Sequence, residues 1–227
     1  MVQRLVLRER CGLDITWLGH SAFRVRSKDA VVLMDPYEKI RGLDIGRPKA
    51  EIVTISHQHP GHANVGAVKG ETPPHVLTGP GEYEISGMFI TGVRTYHDGE
   101  NGKRLGRNTV YLLESEGIVL AHLGDLGHAL TAEQVELMSN VDVLLVPVGD
   151  GNSLGAEQAA EVIAQVEPAM VVPMHYRTAP GQEKLETVDR FCKEMGLTEW
   201  TATDRLTVRK GDLNETLQLK IMAPRPA

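Results

Sequence analysis

Aromatic residues make up only 4% of this chain of 227 residues, and cysteine occurs twice, at Cys11 and Cys192. Neither cysteine belongs to a Cys-x-x-Cys pair, so thiolate metal knuckles and a small disulfide-stapled fold are excluded. One disulfide between the two stays open, but two reduced thiols in a cytoplasmic protein are expected. No apolar stretch reaches membrane-spanning length, and the charges between Met1 and Arg10 lie too close together for a signal-peptide centre. An excess of basic charge is also missing: 24 Lys and Arg face 30 Asp and Glu, a net charge of −6. That balance argues against broad attraction to nucleic acid or anionic lipid. With 41% hydrophobic residues and few rings, the core should be aliphatic.

What the chain does have is histidine in an unusual place. Ser56-His57-Gln58-His59-Pro60-Gly61-His62 follows the apolar run Ala50 to Ile55, which reads as a buried strand. His57 and His59 point the same way if the segment is extended, and Pro60-Gly61 supplies the turn that returns His62. Neutral imidazole is a common ligand of zinc and its first-row neighbours, so three on one loop have metal-site spacing.

Along the chain, Leu13–Leu18, Ala22–Arg26, Val31–Met34, His75–Thr78, Met88–Tyr96, and the hairpin of Asn108–Glu114 with Ile118–Leu123 read as strands. A short helix is expected over 63–69 and a turn-rich loop over 79–83. Thr131 should cap a helix reaching about Ser139. Buried strands 142–147 and 169–174 then alternate with helices 155–166 and 182–195, and strands 205–209 and 216–222 close the chain. No repeat or composition shift marks a boundary. A single domain over 1–227 is expected, with residues 1–10 as an extension and 223–227 as a tail.

Strand after strand ends in a metal-ligand type of residue: His20, Asp35, His57, His97, Asp125 and His175. Such ends gather along one edge of an α/β fold. Taken together, these features resemble the metallo-β-lactamase superfamily over nearly the whole chain. His57, His59 and His62 match its His-x-His-x-Asp-His motif, His97 the downstream histidine, Asp125 the aspartate of its Gly-Asp motif, and His175 the last histidine. The stretches Trp17-Leu18-Gly19-His20-Ser21 and Met34-Asp35-Pro36 look like the lactonase-like, Zn-dependent hydrolase branch.

The resemblance implies a four-layered αββα sandwich of the α/β class. It also implies one or two Zn2+ ions, with Mn2+ or Fe as substitutes. The first ion would take His57, His59 and His97, and the second His62 and His175, with Asp125 bridging. Asp125, His175 and His122 would be catalytic, while His20 and Asp35 would orient the ligands from behind. The reaction implied is hydrolysis, with metal-bound hydroxide attacking an ester, a lactone or a phosphate-containing small molecule. Arg94, Lys103, Arg104 and Arg107 around His97 would suit an anionic substrate, and Tyr83, Tyr96 and Tyr176 could assist an oxyanion. The expected partner is thus a small molecule rather than nucleic acid or membrane, and a homo-oligomer is compatible with the sequence.

One departure stands out. Where the motif has aspartate, this chain has Gly61. The protein could then work with one ion, hold a looser second ion helped by His20, His122 or Asp98, or keep the fold as a non-catalytic ligand-binding relative. His122 itself reads either as a hydrogen-bonded core histidine or as a group facing the substrate, and His128 as facing the site or water. A nuclease or a diiron oxygen reductase fits less well, since no basic arm is present and Gln58 stands where the latter needs an acid.

Overall fold

The computed structural model describes residues 12–40, 42–70 and 72–225. Cys11 and the extension 1–10 lie outside the described residues, and Cys192 is a buried free thiol. In chain order the elements are β1 (Leu13–Gly19), β2 (Ala22–Arg26), β3 (Val31–Met34), β4 (Ile52–Thr54), β5 (His75–Leu77), β6 (Gly81–Ile85), β7 (Met88–Tyr96), β8 (Arg107–Ser115), β9 (Ile118–His122), α1 (Ala132–Leu137), β10 (Val143–Pro147), α2 (Ala156–Val166), β11 (Met170–Met174), α3 (Val188–Glu194), β12 (Leu206–Val208) and β13 (Gln218–Leu219).

They form two mixed sheets, ordered β12-β1-β2-β3-β4-β5 and β13-β11-β10-β9-β8-β7-β6, packed as an αββα sandwich. The period of two sorts the side chains. Val32 and Met34 of β3 enter the core shared by both sheets, whereas Leu33 between them joins Leu18, Tyr37, Val53 and Ile55 on the opposite face. Helices α2 and α3 bury Ala159, Val162, Ile163, Phe191 and Cys192 against the second sheet. The outer face of the first sheet is covered mostly by the connection after β3, including Tyr37 and Ile45, and by a 3-10 turn at Val65–Ala67.

The parallel strands β3 and β4 in one sheet, and β9, β10 and β11 in the other, all release their chains toward the same edge. Prolines help to end the ladder there. Leu145 O accepts from Leu123 N–H toward β9, and Pro147, two residues on, turns the side without an N–H to where β9 has stopped. Pro173 in β11 does the same toward β13, because Val171 O accepts from Lys220 N–H and the pairing stops at Leu219. The loops beyond are free to build a site.

Several local expectations change. The helix over 63–69 is only a 3-10 turn, since Gly66 and β-branched valines interrupt seven residues that lack a nucleus. The segment at 81–85 pairs with β7 as an edge strand, because the nine-residue β7 offers it a free flank. The helix expected from 182 starts at Val188. Gln182 instead accepts from Thr178 and Ala179 N–H, at 2.9 and 3.2 Å, and ties a turn. The terminal strands shrink to 206–208 and 218–219. Thr131 does cap α1, in a reciprocal box with Gln134.

Candidate metal centre

The centre draws on both sheets. From the first come His20 in the β1–β2 turn, Asp35 after β3, and His57, His59 and His62 after β4; from the second come His97 after β7, Asp125 after β9 and His175 after β11. Two backbone bonds sew the halves together here: Thr109 N–H donates to Ser56 O (2.8 Å) and His175 N–H to His20 O (3.0 Å).

Asp125 Oδ2 sits at the middle, 3.2 Å from His62 Nε2, 3.3 Å from His97 Nε2 and 3.5 Å from His175 Nε2. Its other oxygen accepts a long bond from Ser21 Oγ (3.4 Å). The backbone before it is tightly constrained. Gly124 has φ +58°, and a Cβ there would come within 2.5 Å of Asn108 Oδ1 and of Ser56 Cβ, so only glycine fits. Asn108 is a residue that no sequence pattern singled out. It accepts from Asp125 N–H (3.1 Å) and donates to Thr95 Oγ1 (2.8 Å) and Leu123 O (2.9 Å).

Asp35 is wholly buried and sets two rings at once. Its carboxylate accepts from Ser56 N–H (2.7 Å), Ser56 Oγ (2.5 Å) and His62 Nδ1 (2.8 Å). Ser56 Oγ, having given its proton to Asp35, accepts from His57 Nδ1 (3.0 Å). Both rings thereby carry hydrogen on Nδ1 and leave Nε2 for the centre. Ser153 Oγ stands 3.3 Å from His175 Nδ1 in a similar place. Ser56, Ser153 and Ser21 had no role in the sequence reading, because serine beside histidine carries no spacing rule. His59 differs: it is exposed, and its Nδ1 accepts from Gly61 N–H at 3.1 Å.

The protein's own charges polarise this cluster strongly. Burial would raise the Asp125 carboxyl, but His175 and His62 beside it hold it well below the usual range. Burial works against the imidazolium of His62 too, yet Asp125 and Asp35 on its two nitrogens push its pKa up to about 10. Burial lowers His57 to about 4 and also lowers His175 and His20, so these stay neutral, the form that ligates metal, whereas His62 would have to release the Nε2 proton it shares with Asp125 before it could do so.

Donor atoms fall into three groups, each within 4.8 Å: His57, His59 and His62; His57, His97 and Asp125; and His20, His62 and His175. Buried imidazole nitrogens turned toward shared points beside one carboxylate fit borderline divalent ions. Three of the residues, His20, Asp35 and His175, have left-handed φ values of +53°, +45° and +54°, a strain of roughly 1–2 kcal/mol each. Backbone strain of this kind gathers at functional sites.

Some expected residues are elsewhere engaged. His122, expected among the catalytic groups, is wholly buried; its Nε2 bonds Ser21 O (2.8 Å) and its Nδ1 accepts from Gly124 N–H (3.2 Å). One neutral tautomer satisfies both bonds, leaving nothing for a substrate. His128 accepts from Tyr96 N–H and bonds Ala129 O. Tyr176 Oη donates to Met222 O (3.2 Å) and Tyr83 Oη to Gly79 O (3.1 Å), so neither is free for an oxyanion. Asp98, considered as a helper of the second ion, pins the adjoining loop through the N–H groups of Glu100, Gly102, Arg104 and Leu105. Arg94, Lys103, Arg104 and Arg107 are exposed, with Arg104 paired to Glu100.

Two facing mixed sheets with histidines and two aspartates gathered at a common edge define a sandwich protein with a histidine-carboxylate cluster able to hold a metal. Residues 14–175 match the family described as the beta-lactamase superfamily domain, and the chain belongs to the metallo-β-lactamase superfamily. It is 34% identical to a Thermotoga maritima protein described as a Zn-dependent hydrolase of that superfamily, with a TM-score of 0.76 over 92% of this chain and 98% of that one. It is 28% identical to a UPF0173 metal-dependent hydrolase of Methanopyrus kandleri, over 82% of this chain and 94% of the relative. A UPF0173 metal-dependent hydrolase of Thermococcus onnurineus is likewise 28% identical, over 74% and 86%. Among the described residues no helix is long and apolar enough to cross a membrane.

Proposed function

We propose that the protein is a metal-dependent hydrolase of a small ester, lactone or phosphate-bearing molecule, using one or two Zn2+ ions. The observation that carries this reading is the single carboxylate oxygen of Asp125 lying within 3.5 Å of three imidazole Nε2 atoms. When bound, such ions bring the pKa of a water toward neutrality and polarise the scissile bond. The chain's own residues do the remainder. His57, His59 and His97 would hold the first ion; His62 and His175 would serve the second, with Asp125 between them. Asp35 and Ser56 fix which nitrogen His57 and His62 present. Substrate would approach from the side of His59, the exposed member of the cluster, while His62, His97, Asp125 and His175 stay buried. The exposed Arg and Lys side chains of the neighbouring loop support an anionic substrate.

The test is to load the protein separately with Zn2+, Mn2+ and Fe2+ and to assay nitrophenyl esters, a lactone series and nitrophenyl phosphates. Turnover in one class that chelator removes, that metal restores and that Asp125→Ala lacks is expected. A fully metallated protein inert toward all three classes would favour the non-catalytic, ligand-binding alternative.

A further inference from the structure

The missing motif aspartate has a physical replacement in the fold. Gly61 is buried and has no left-handed φ, so its backbone does not call for glycine. Space does. A Cβ at position 61 would lie 3.0 Å from His20 Nε2 and 3.0 Å from His59 Nδ1, tighter than side chains normally pack. A side chain rooted at 61 would start out against an imidazole nitrogen from another strand turn.

His20 is held there deliberately. Its carbonyl accepts from Trp17 Nε1 (3.0 Å) and from His175 N–H (3.0 Å), which fixes the turn to both sheets. Its φ of +53° is one that asparagine or glycine would take more cheaply. The ring packs at centroid distances of 4.3 Å from His175 and 5.0 Å from His62, and makes no ring hydrogen bond among the described residues. Its donor atom lies within 4.8 Å of those of His62 and His175.

We infer that His20 is itself a ligand of the second ion, substituting for the carboxylate that Gly61 cannot supply. The second site is then His20, His62 and His175 with Asp125 shared, a set one negative charge poorer than the superfamily motif provides. Three imidazoles favour Zn2+, Fe2+ or Co2+ over the oxygen-seeking Mn2+ and Mg2+. The inference rests on the reading that this cluster binds metal, and goes beyond it by naming the fourth protein ligand and the ion class of that site.

The experiment is a Co2+ titration of the whole chain followed by visible absorption and calorimetry, for the parent, His20→Gly and the pair Gly61→Asp with His20→Gly. Glycine suits the left-handed backbone, so His20→Gly removes the ring without adding strain, and circular dichroism checks that it folds. The parent should take about two ions. His20→Gly should keep the tighter ion and bind the other at least roughly tenfold to a hundredfold more weakly, the range that loss of even an outer partner reaches. The double variant should regain the second ion with an altered spectrum, because oxygen replaces nitrogen. Two ions bound by His20→Gly with parental affinity and spectrum would overturn the role of His20 while leaving the metal centre intact. A parent that binds no ion would overturn the metal reading itself.

Discussion

Asp35 and His62 are joined by a 2.8 Å hydrogen bond between two side chains that are wholly or almost wholly buried. The same carboxylate reaches His57 through Ser56 Oγ, so one residue orients two of the histidines proposed as ligands. Asp35→Asn keeps the shape but offers an amide hydrogen to at least one partner that already donates. Metal affinity should fall by roughly tenfold to a hundredfold. Competition against a chromophoric chelator measures it, and unchanged affinity would reduce Asp35 to a turn residue.

Asp98 anchors the loop beside His97 by four backbone donors, with Leu105 N–H nearest at 2.7 Å. The bond from Leu105 and its companions push the Asp98 carboxyl down to about 2. A carboxylate with a depressed folded pKa stabilises the fold above its unfolded value near 3.9 and loses that contribution as pH falls toward 2. In Asp98→Ala the melting temperature should therefore be lower at neutral pH and should drop less steeply than the parent's between about pH 4 and 2. Parallel acid-dependent slopes would contradict the anchoring role. Limited proteolysis should also cut the variant within 99–107.

His122→Ala strands a buried carbonyl at Ser21 and a buried N–H at Gly124. A stability loss of about 1–3 kcal/mol or more is expected from those groups and the vacated volume. The number of ions bound per chain should stay as in the parent. Denaturant titration and elemental analysis together decide; a stable variant that loses metal would return His122 to the centre.

Gly124→Ala puts a methyl group where Asn108 Oδ1 and Ser56 Cβ lie 2.5 Å away, at a φ of +58°. Left-handed strain adds about 1 kcal/mol to the steric displacement. The variant should melt several degrees lower and bind metal more weakly, because Asp125 is the next residue. Full metal affinity at a lowered melting temperature would separate the fold from the site at this point.

The parts of this molecule legible from its sequence are those encoded locally. Val143–Pro147 and Met170–Met174 are unbroken apolar runs and became the parallel centre of the second sheet. His57, His59 and His62 share a loop, and His97, Asp125 and His175 each follow a strand, so their chemistry and spacing are readable along the chain. What escaped depends on how distant backbones meet. The position of the His20 ring depends on how it leaves a left-handed turn, and on a glycine 41 positions later beside it. His122 lies only three residues before Asp125, but the strand points its ring at Ser21 instead. Asn108 and Ser153 matter solely through partners brought in by pairing of the sheets. The edge strand β6 gains its order from β7 and not from its own residues.

That the proposed ligands divide between the sheets would give any bound cation a mechanical part. His20, His57, His59 and His62 belong to one half, and His97, Asp125 and His175 to the other, so an ion gripped by both is a clasp across the sandwich. In a chain with just two cysteines, this clasp can do for the two halves what a disulfide does elsewhere. Its strength would scale with the free ion concentration. Stripping the metal would then loosen the protein as well as silence it.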